Sequence, residues 1–483
     1  MAAPVHPLTP GPAAQQVIVE DAAGPEPLLA QIRARLDHLE SFGERVGVAI
    51  DSLVNGILEL KQLDRVQEVA ALQAKVRELE QVLSLERSNR DLAQVSRMHP
   101  KARAIVFVGT TYLGCNVKYA WLAARAAAGR LGYRCWFLPF SAEQEQQVRG
   151  VDREHCFPHA YTEWSAEHLH AALSAAVLVT SDHLLNPNPF AAGMLAGARH
   201  VQLWHGVSIK EIGLRNLAPL RQMGPHFARV LATCGHYASM VGTAARHEAE
   251  WRRWFAFERY AALGYARNDV LYRTPEGPDL LNVDMSAYGR AAQARAGGKR
   301  VILYAPTFRD GKGARWLLEA GLDRIAGAVA AAGDCLVVNL HPVEAPQVPE
   351  LSRLLPGVAF VQPRTDLYPL LTQTSALVTD YSSVMFDYLH LDRPIVLYRP
   401  DHEEYTRRSR KLFDEKLATL PGPMANSADA LLQALKKLTP EAHAPQRRQL
   451  REQLFDHHDG QSAQRLVELL ADELSLVQTA VAN

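Results

Sequence analysis

The stretch that decides the fold is residues 301–309, which read VILYAPTFR. Its first half is a continuous apolar run rich in β-branched and aromatic side chains, and Pro306 interrupts it. An apolar run without polar alternation is typical of a strand buried on both faces of a parallel sheet. Ligands bind beside the carboxyl ends of such strands, so residues directly after the run are candidates for a site.

Runs of this kind recur in two series, separated by residues 272–299, which contain TPEGP at 274–278. The first series is 104–108, 135–138, 177–180, 201–204 and 230–233, and the second is 301–304, 336–340, 358–361, 377–379 and 395–398. Helical stretches separate the runs, so the sequence predicts an α/β protein with two Rossmann-like, doubly wound lobes. We place these lobes at 101–272 and 273–483, the second ending in C-terminal helices.

The N-terminal part of the chain has a different pattern. Residues 1–27 are rich in Pro, Ala and Gly and are predicted to be a mobile leader. From 28 to 100, apolar residues recur at steps of three and four, which predicts a helical or coiled-coil segment. Two interpretations stay open: a helical bundle packed on the main body, or a stalk through which the chain forms a homo-oligomer.

Composition excludes several classes of protein. Lys and Arg contribute 52 residues and Asp and Glu 52, so the formal net charge is zero, which argues against a general nucleic-acid binder. The five cysteines are scattered, which disfavours a disulfide framework or a zinc site. There is neither a signal-peptide pattern nor an apolar run of about 18 residues, so we expect a cytoplasmic protein with at most peripheral membrane contact.

Two histidines stand directly after strand runs. His205 follows 201–204 and precedes Gly206, while His341 follows the run that ends at Leu340. Histidine titrates near neutrality, and at a strand end beside a cleft it suits a general base. Either histidine alone could equally well be a structural residue, but two such histidines, one from each lobe, predict a catalytic pair.

Polar side chains after two runs of the second lobe predict a phosphate site. Thr307 and Arg309 offer a hydroxyl and a fork-shaped cation. Ser382 and Ser383 are predicted to begin a helix, where free N–H groups bind anions. Asp387, about one turn further on, could accept ribose hydroxyls. The Lys of a nucleotide-hydrolase phosphate loop is missing after Gly114, so these residues indicate a two-lobed enzyme for a phosphorylated or nucleotide ligand.

From Ala104 to Leu469 the chain resembles the CDP-glycerol glycerophosphotransferase family, the polymerases and primases of teichoic acids and similar capsule polymers. The strongest motifs are LWHG at 203–206 with Lys210, YAPTFR at 304–309, His341-Pro342, and TDYSS at 379–383 with Asp387. Weaker motifs include Asn116 with Lys118, and GYARND at 264–269. Two departures are Ala266, where the family usually has Pro, and Val207-Ser208, where it commonly has Thr-Pro.

The resemblance implies a GT-B fold that transfers glycerol phosphate from CDP-glycerol to a hydroxyl of a growing cell-surface polymer and releases CMP. It implies that His205 deprotonates the acceptor hydroxyl. The diphosphate would be held by His341, Arg309, Ser382 and Ser383, and the nucleotide contacted by Asp387 and Thr307. Acceptor-side or supporting roles would fall to Asn116, Lys118, Lys210, Arg267, Asp269 and Asp380.

Several alternatives stay open at this stage. The donor could be CDP-ribitol or another activated nucleotide, the enzyme a primase or a polymerase, or the chain a non-catalytic scaffold that works through its helical N-terminus. No metal ion or other cofactor is required, and Mg²⁺ is not implied by the sequence. Lipid-linked anionic acceptors imply peripheral contact with the inner face of the cell membrane, for which RRSRK at 407–411 and WRRWF at 251–255 are candidates.

Overall fold

The computed structural model describes residues 65–184, 186–208, 212–213, 236–309, 312–408 and 420–482. The chain divides into two compact units, residues 1–84 and 85–483. In the first unit, the described residues belong to helix α1 (Arg65–Met98), which extends into the second unit. The predicted leader at 1–27 and the first part of the predicted helical segment, 28–64, lie outside the described residues.

The first lobe of the second unit is built on a six-stranded parallel sheet with strand order β2-β1-β3-β4-β5-β6. Its strands are β1 (Ala102–Val108), β2 (Arg134–Leu138), β3 (Ala175–Thr180), β4 (Arg199–Gln202), β5 (Tyr237–Gly242) and β6 (Phe257–Ala262). The described helices among them are α2 (Cys115–Leu131), α3 (Ala142–Arg149), α4 (Ala166–Ser174), α5 (Ala191–Met194) and α6 (Glu248–Trp254). A 3₁₀ segment, Ala266–Tyr272, leads out of this lobe.

The second lobe holds another six-stranded parallel sheet, with order β12-β11-β10-β7-β8-β9. Its strands are β7 (Val301–Ala305), β8 (Cys335–Val338), β9 (Ala359–Phe360), β10 (Ala376–Thr379), β11 (Ile395–Tyr398) and β12 (Met424–Ala425). The described helices from here to the end of the chain are α7 (Met285–Ala296), α8 (Trp316–Glu319), α9 (Leu322–Ala331), α10 (Val348–Leu354), α11 (Tyr368–Leu371), α12 (Val384–Asp387), α13 (His402–Arg408), α14 (Ala428–Lys436), α15 (Ala444–Leu454) and α16 (Ser462–Ala482).

Burial on both faces explains why the strands read as continuous apolar runs. In β1, Ile105 and Phe107 join one hydrophobic cluster, while Val106 and Val108 join another on the opposite face of the sheet. Successive side chains of a strand point to opposite faces, so a sheet covered on both sides needs apolar residues at every position. The predicted α/β class with two parallel-sheet lobes is confirmed.

Three strands escaped prediction because they lack this pattern. Strand β5 contains Ser239 and ends at Gly242, and the edge strand β6 exposes Glu258 and Arg259. Strand β12 has only two residues. The predicted strand at 230–233 lies outside the described residues.

The position of the last helix differs from the prediction, which places the end of the chain in the second lobe. Helix α16 packs against α2 and β3 of the first lobe. Asp269 accepts hydrogen bonds from the backbone N–H groups of Ser462 (3.0 Å) and Ala463 (2.7 Å) at the start of the helix. Further along, the buried Glu473 accepts from the Ser239 hydroxyl (2.7 Å) and pairs with Arg199. A carboxylate at a helix N-terminus is stabilising, so Asp269 anchors α16 to the first lobe.

Three expectations drawn from composition concern cysteines, metals and membranes. Cys115, Cys135, Cys156 and Cys335 are buried free thiols, and Cys234 lies outside the described residues. Within the described ranges, no group of three His, Cys, Asp or Glu side chains is arranged to hold a metal ion. No helix in those ranges has both the length and the apolar character to cross a bilayer.

Two buried histidines make stability depend on pH. His200 on β4 bonds the Thr180 hydroxyl (2.8 Å), and His390 bonds the Tyr272 hydroxyl (2.7 Å). Burial lowers the pKa of each histidine from 6.5 to about 3. Between those values the unfolded chain binds protons that the folded chain does not, so acid favours unfolding.

We predict that the free energy of unfolding falls by about 1.4 kcal/mol per pH unit for each of these histidines as the pH drops below 6.5. The free energy of unfolding is measured in urea at pH 6.5 and at pH 5. The decrease between these two pH values should be about 2 kcal/mol smaller in His200→Gln than in the wild type. The matched control is His170→Gln at an exposed position, which should keep the wild-type difference. An identical difference in all three proteins would contradict the prediction.

Candidate active site

A central cleft with a volume of about 750 Å³ lies between the carboxyl ends of the two sheets. Its described lining comes mainly from strand ends of both lobes, at 110–112, 181–182, 204–208, 305–308, 339–343 and 381–384. The strand order reverses between β1 and β3 in the first sheet and between β7 and β10 in the second. Ligands of doubly wound sheets bind at these reversal points, so the cleft is the candidate active site.

His205 is presented to the cleft by a sharp turn after β4. Trp204 has a φ of +52° and Gly206 a φ of +147°, and the His205 ring stacks on Trp204 at 4.3 Å. Its Nδ1 lies 3.1 Å from the carbonyl oxygen of Ser181. A carbonyl can only accept, so Nδ1 is the donor and the Nε2 of the neutral ring is left to accept a proton.

The turn at Gly206 brings the two lobes into close contact. A Cβ atom at this glycine would lie 3.0 Å from the Ser383 hydroxyl oxygen and 3.2 Å from Nη2 of Arg267. The φ of +147° is also one that other residues rarely adopt. Glycine at 206 therefore allows the loop that carries His205 to lie directly against Ser383 of the second lobe.

Ser382 and Ser383 line the cleft as predicted, but their setting differs from the predicted helix cap. Helix α12 has only four residues, and the Ser383 side chain makes no capping hydrogen bond. Neither hydroxyl has a hydrogen-bond partner among the described residues. Both are half-buried and free to bind a ligand.

His341 and Thr307 also line the cleft. The Nδ1 of His341 accepts a hydrogen bond from the Val343 backbone N–H (3.3 Å), so the proton of the neutral ring resides on Nε2. The Thr307 hydroxyl donates to Asp380 (2.7 Å), and the Thr307 N–H donates to the same oxygen (2.8 Å). The cleft thus brings His205, His341, Thr307 and the two serines together, while Asp380 positions Thr307 from behind.

Arg309 lies behind the cleft wall rather than in it. Its guanidinium donates to both oxygens of Asp401 (2.6 and 2.8 Å) and pairs with Asp380 at 2.9 Å. It also lies over the rings of Trp316 and Tyr405. Burial lowers the pKa of Arg309, but the two carboxylates outweigh burial and raise it, so the residue carries a fixed charge that is already neutralised.

Asp387 also lies outside the cleft lining, in contrast to the predicted ribose contact. It accepts hydrogen bonds from Arg267 Nη2 (2.7 Å), Asn268 Nδ2 (3.0 Å) and the Tyr368 hydroxyl (2.7 Å). Arg267 lines the cleft and also donates from Nη1 to the carbonyl oxygen of His205 (2.8 Å). Burial lowers the pKa of Arg267, but the charge of Asp387 more than compensates and raises it well above its usual range.

The remaining predicted residues that the structure describes, Lys118, Asn116 and Asp269, have structural partners. Lys118 is fully buried and donates to Asp366 (2.7 Å) and to two backbone carbonyls, and Asn116 donates to the carbonyl of Trp204 (2.8 Å). Asp269 anchors α16, and Lys210 lies outside the described residues. Lys118, Asn116 and Asp269 hold the lobes and loops together and are not among the described residues that line the cleft.

Ser181 and Asp182 line the cleft but were not singled out in the sequence. They directly follow the run at 177–180, so the strand-end rule that identified His205 also applies to them. They were missed because a Ser-Asp pair lacks the distinct titration behaviour that draws attention to histidine.

The candidate membrane patch at 251–255 is only half exposed. Trp251, Trp254 and Phe255 pack in a buried aromatic cluster, which leaves Arg252 and Arg253 at the surface. The aromatic side chains that would insert at a lipid interface are therefore part of the core. Of the second candidate patch, residues 409–411 lie outside the described ranges.

Comparison with known proteins identifies relatives over most of the chain. Residues 96–472 match the model of the family described as CDP-Glycerol:Poly(glycerophosphate) glycerophosphotransferase. The teichoic acid glycerol-phosphate transferase of Staphylococcus aureus is 26% identical over 290 residues, covering 56% of this chain and 70% of that protein. The teichoic acid ribitol-phosphate primase of Bacillus spizizenii is 26% identical over 286 residues, covering 57% and 70%.

Among solved structures, the wall teichoic acid polymerase TagF aligns over 84% of this chain and 98% of its own, with a TM-score of 0.57 and 20% identity. This likeness covers both lobes and supports the predicted GT-B-type fold. Since the family match covers more than three-quarters of the sequence, the chain belongs to the CDP-glycerol:poly(glycerophosphate) glycerophosphotransferase family.

Proposed function

We propose that this protein transfers glycerol phosphate from CDP-glycerol to a hydroxyl group of a growing cell-surface polymer and releases CMP. The observation that carries the proposal is the contact of the His205-Gly206 turn with Ser383. It puts a proton acceptor of one lobe beside ligand-accessible hydroxyls of the other. Phosphoryl transfer needs a positioned nucleophile, which the proton acceptor would activate, next to groups that stabilise spread negative charge, which the hydroxyls would supply.

In the proposed step, the acceptor oxygen bonds to the phosphorus that carries glycerol. The bond from that phosphorus to the bridging oxygen breaks, and CMP leaves with the electron pair. The acceptor proton passes to Nε2 of His205, whose Nδ1 proton is held by the carbonyl of Ser181. The same carbonyl would stabilise the imidazolium that forms.

Neutral donors of the second lobe would hold the diphosphate. Ser382 and Ser383 can each donate a hydroxyl proton, and His341 can donate from Nε2 because its Nδ1 is an acceptor. The hydroxyl proton of Thr307 already serves Asp380, so Thr307 would only accept from the nucleotide. Arg309 and Asp387 act in this proposal as positioning residues, since their charges are paired behind the wall.

A ribitol phosphate donor is the second candidate, because a ribitol-phosphate primase matches the chain about as well as a glycerol-phosphate transferase does. The nucleotide and diphosphate are common to both donors, and only the polyol differs. Polymer identity, self-association through residues 28–100 and contact with the membrane surface stay predictions.

We predict that purified protein releases CMP from CDP-glycerol at least about tenfold faster, at equal low concentration, than from CDP-ribitol, which corresponds to about 1.4 kcal/mol of transition-state discrimination. The measurement is CMP release with a glycerol-phosphate-terminated acceptor. Faster release from CDP-ribitol would favour ribitol phosphate as the transferred group. The absence of CMP release from either donor would refute both candidate functions.

Replacing His205 by Ala should lower CMP release by about 10²- to 10⁴-fold, because the acceptor hydroxyl loses its base. Binding of CDP-glycerol, measured by calorimetry, should stay within about threefold, since the diphosphate contacts come from the other lobe. The control is His170→Ala, at an exposed position of the same lobe. Turnover equal to the wild type would exclude His205 as the base.

Replacing both Ser382 and Ser383 by Ala should raise the KM for CDP-glycerol by about tenfold or more, because two hydrogen bonds to a charged phosphate are lost. The KM for the acceptor should hardly change. Ser286→Ala, at an exposed position of the second lobe, provides the matched control. An unchanged donor KM in the double variant would remove the serines from the proposed phosphate site.

A further inference from the structure

The wall of the cleft opposite the serines has a polar pair of its own, Ser181 and Asp182. Both directly follow β3, where the strand order of the first sheet reverses between β1 and β3. Both line the central cleft. They thus stand at the ligand-binding edge of the first lobe, as the phosphate-site residues do in the second.

This pair adjoins the proposed base. The carbonyl oxygen of Ser181 is the group 3.1 Å from Nδ1 of His205, so the residue that orients the base is itself part of the pair. His205, Ser181 and Asp182 line the same cleft, so a polyol whose reacting hydroxyl lies at Nε2 of His205 has its remaining hydroxyls in the space that this pair also lines. Asp182 is also the one acidic residue in the described lining of the cleft.

The chemistry of the pair selects its ligand. One carboxylate oxygen of Asp182 accepts from the backbone N–H of His183 (2.7 Å), and the other has no partner among the described residues. The Ser181 hydroxyl is buried and likewise has no hydrogen-bond partner in the described part of the chain. An ionised carboxylate only accepts hydrogen bonds, so its ligand must supply donors, which a polyol has and a phosphate diester lacks.

Charge supports the same assignment. The negative charge of Asp182 repels the diphosphate from the first-lobe wall, whereas the second-lobe side of the cleft carries Ser382, Ser383, His341 and the exposed Arg364. The donor is thereby kept on one wall and the uncharged end of the acceptor on the other. Unlike charges on two walls of a cleft favour one orientation of a ligand that has a charged and an uncharged end.

We propose that Ser181 and Asp182 form a subsite for the terminal polyol of the acceptor, with Asp182 accepting from the hydroxyl next to the one that reacts. The proposal rests on the proposed function for the identity of the acceptor. The competing ligand is the amino group of cytosine, a donor that a carboxylate also binds. The two are separated by whether the acceptor or the nucleotide loses affinity when the carboxylate is changed.

The test variant is Asp182→Asn, which keeps an oxygen for the His183 N–H but removes the charge. Glu163→Gln, at an exposed position of the same lobe, is the matched control. Two acceptors are compared: one ends in glycerol phosphate, and the other ends in propane-1,3-diol phosphate, which lacks the neighbouring hydroxyl. We measure the KM for each acceptor, the KM for CDP-glycerol, and direct binding of each acceptor by calorimetry without donor.

The wild type and Glu163→Gln should bind the glycerol-terminated acceptor about tenfold more tightly than the other, and Asp182→Asn should lose this preference. Its KM for CDP-glycerol should stay within about twofold. Ser181→Ala should weaken binding of the glycerol-terminated acceptor and leave the KM for CDP-glycerol unchanged.

A rise in the donor KM alone would assign Asp182 to the nucleotide and overturn the proposal. If Asp182→Asn bound both acceptors more weakly by the same factor, or bound neither more weakly, the proposal would also be overturned. If the wild type released no CMP from any CDP-polyol, the proposed function would fail, while the calorimetric comparison would still decide the role of Asp182.

Discussion

The ion pair between Arg267 and Asp387 is the interaction on which the geometry of the cleft depends. The two side chains are 4% and 1% exposed and lie 2.7 Å apart. Arg267 belongs to the 3₁₀ segment that leaves the first lobe, Asp387 ends α12 of the second, and the same guanidinium donates to the carbonyl of His205. Removing one partner would leave a buried charge without its counterion, at a cost of about 3–5 kcal/mol.

This pair controls how close the two halves of the site can come. A Cβ atom at Gly206 would be 3.2 Å from Nη2 of Arg267 and 3.0 Å from the Ser383 hydroxyl, so the histidine loop is confined between the ion pair and the serine. The fully buried contact of Lys118 with Asp366 provides a second fixed point between the lobes. Buried pairs of this kind specify a geometry more clearly than they add stability.

Much of the fold and part of the site could be predicted because they depend on local sequence. Strands such as β1 and β7 are buried on both faces and therefore read as apolar runs, and the strand-end rule correctly located His205 and His341 in one cleft. Strand β6 was missed because it is an edge strand with charged residues. Arg309 and Asp387, for which direct ligand contacts are predicted, lie outside the cleft lining because they pair with Asp401, 92 residues away, and Arg267, 120 residues away. No local pattern shows that such a charge is already paired.

The pairing of these charges also bears on how the site can turn over. Arg267 is neutralised by Asp387, and Arg309 by Asp380 and Asp401, so these two guanidinium groups present little net charge to the cleft. Beside the exposed Arg364, the proposed phosphate contacts are neutral hydroxyl and imidazole donors, which bind an anion less tightly than a free guanidinium does. An enzyme that must release an anionic nucleotide after each transfer gains nothing from equally tight binding of donor, transition state and product. Paired arginines beside neutral donors therefore suit repeated transfer: the ion pairs fix the geometry of the wall, and the neutral groups make contacts that can be broken in each cycle.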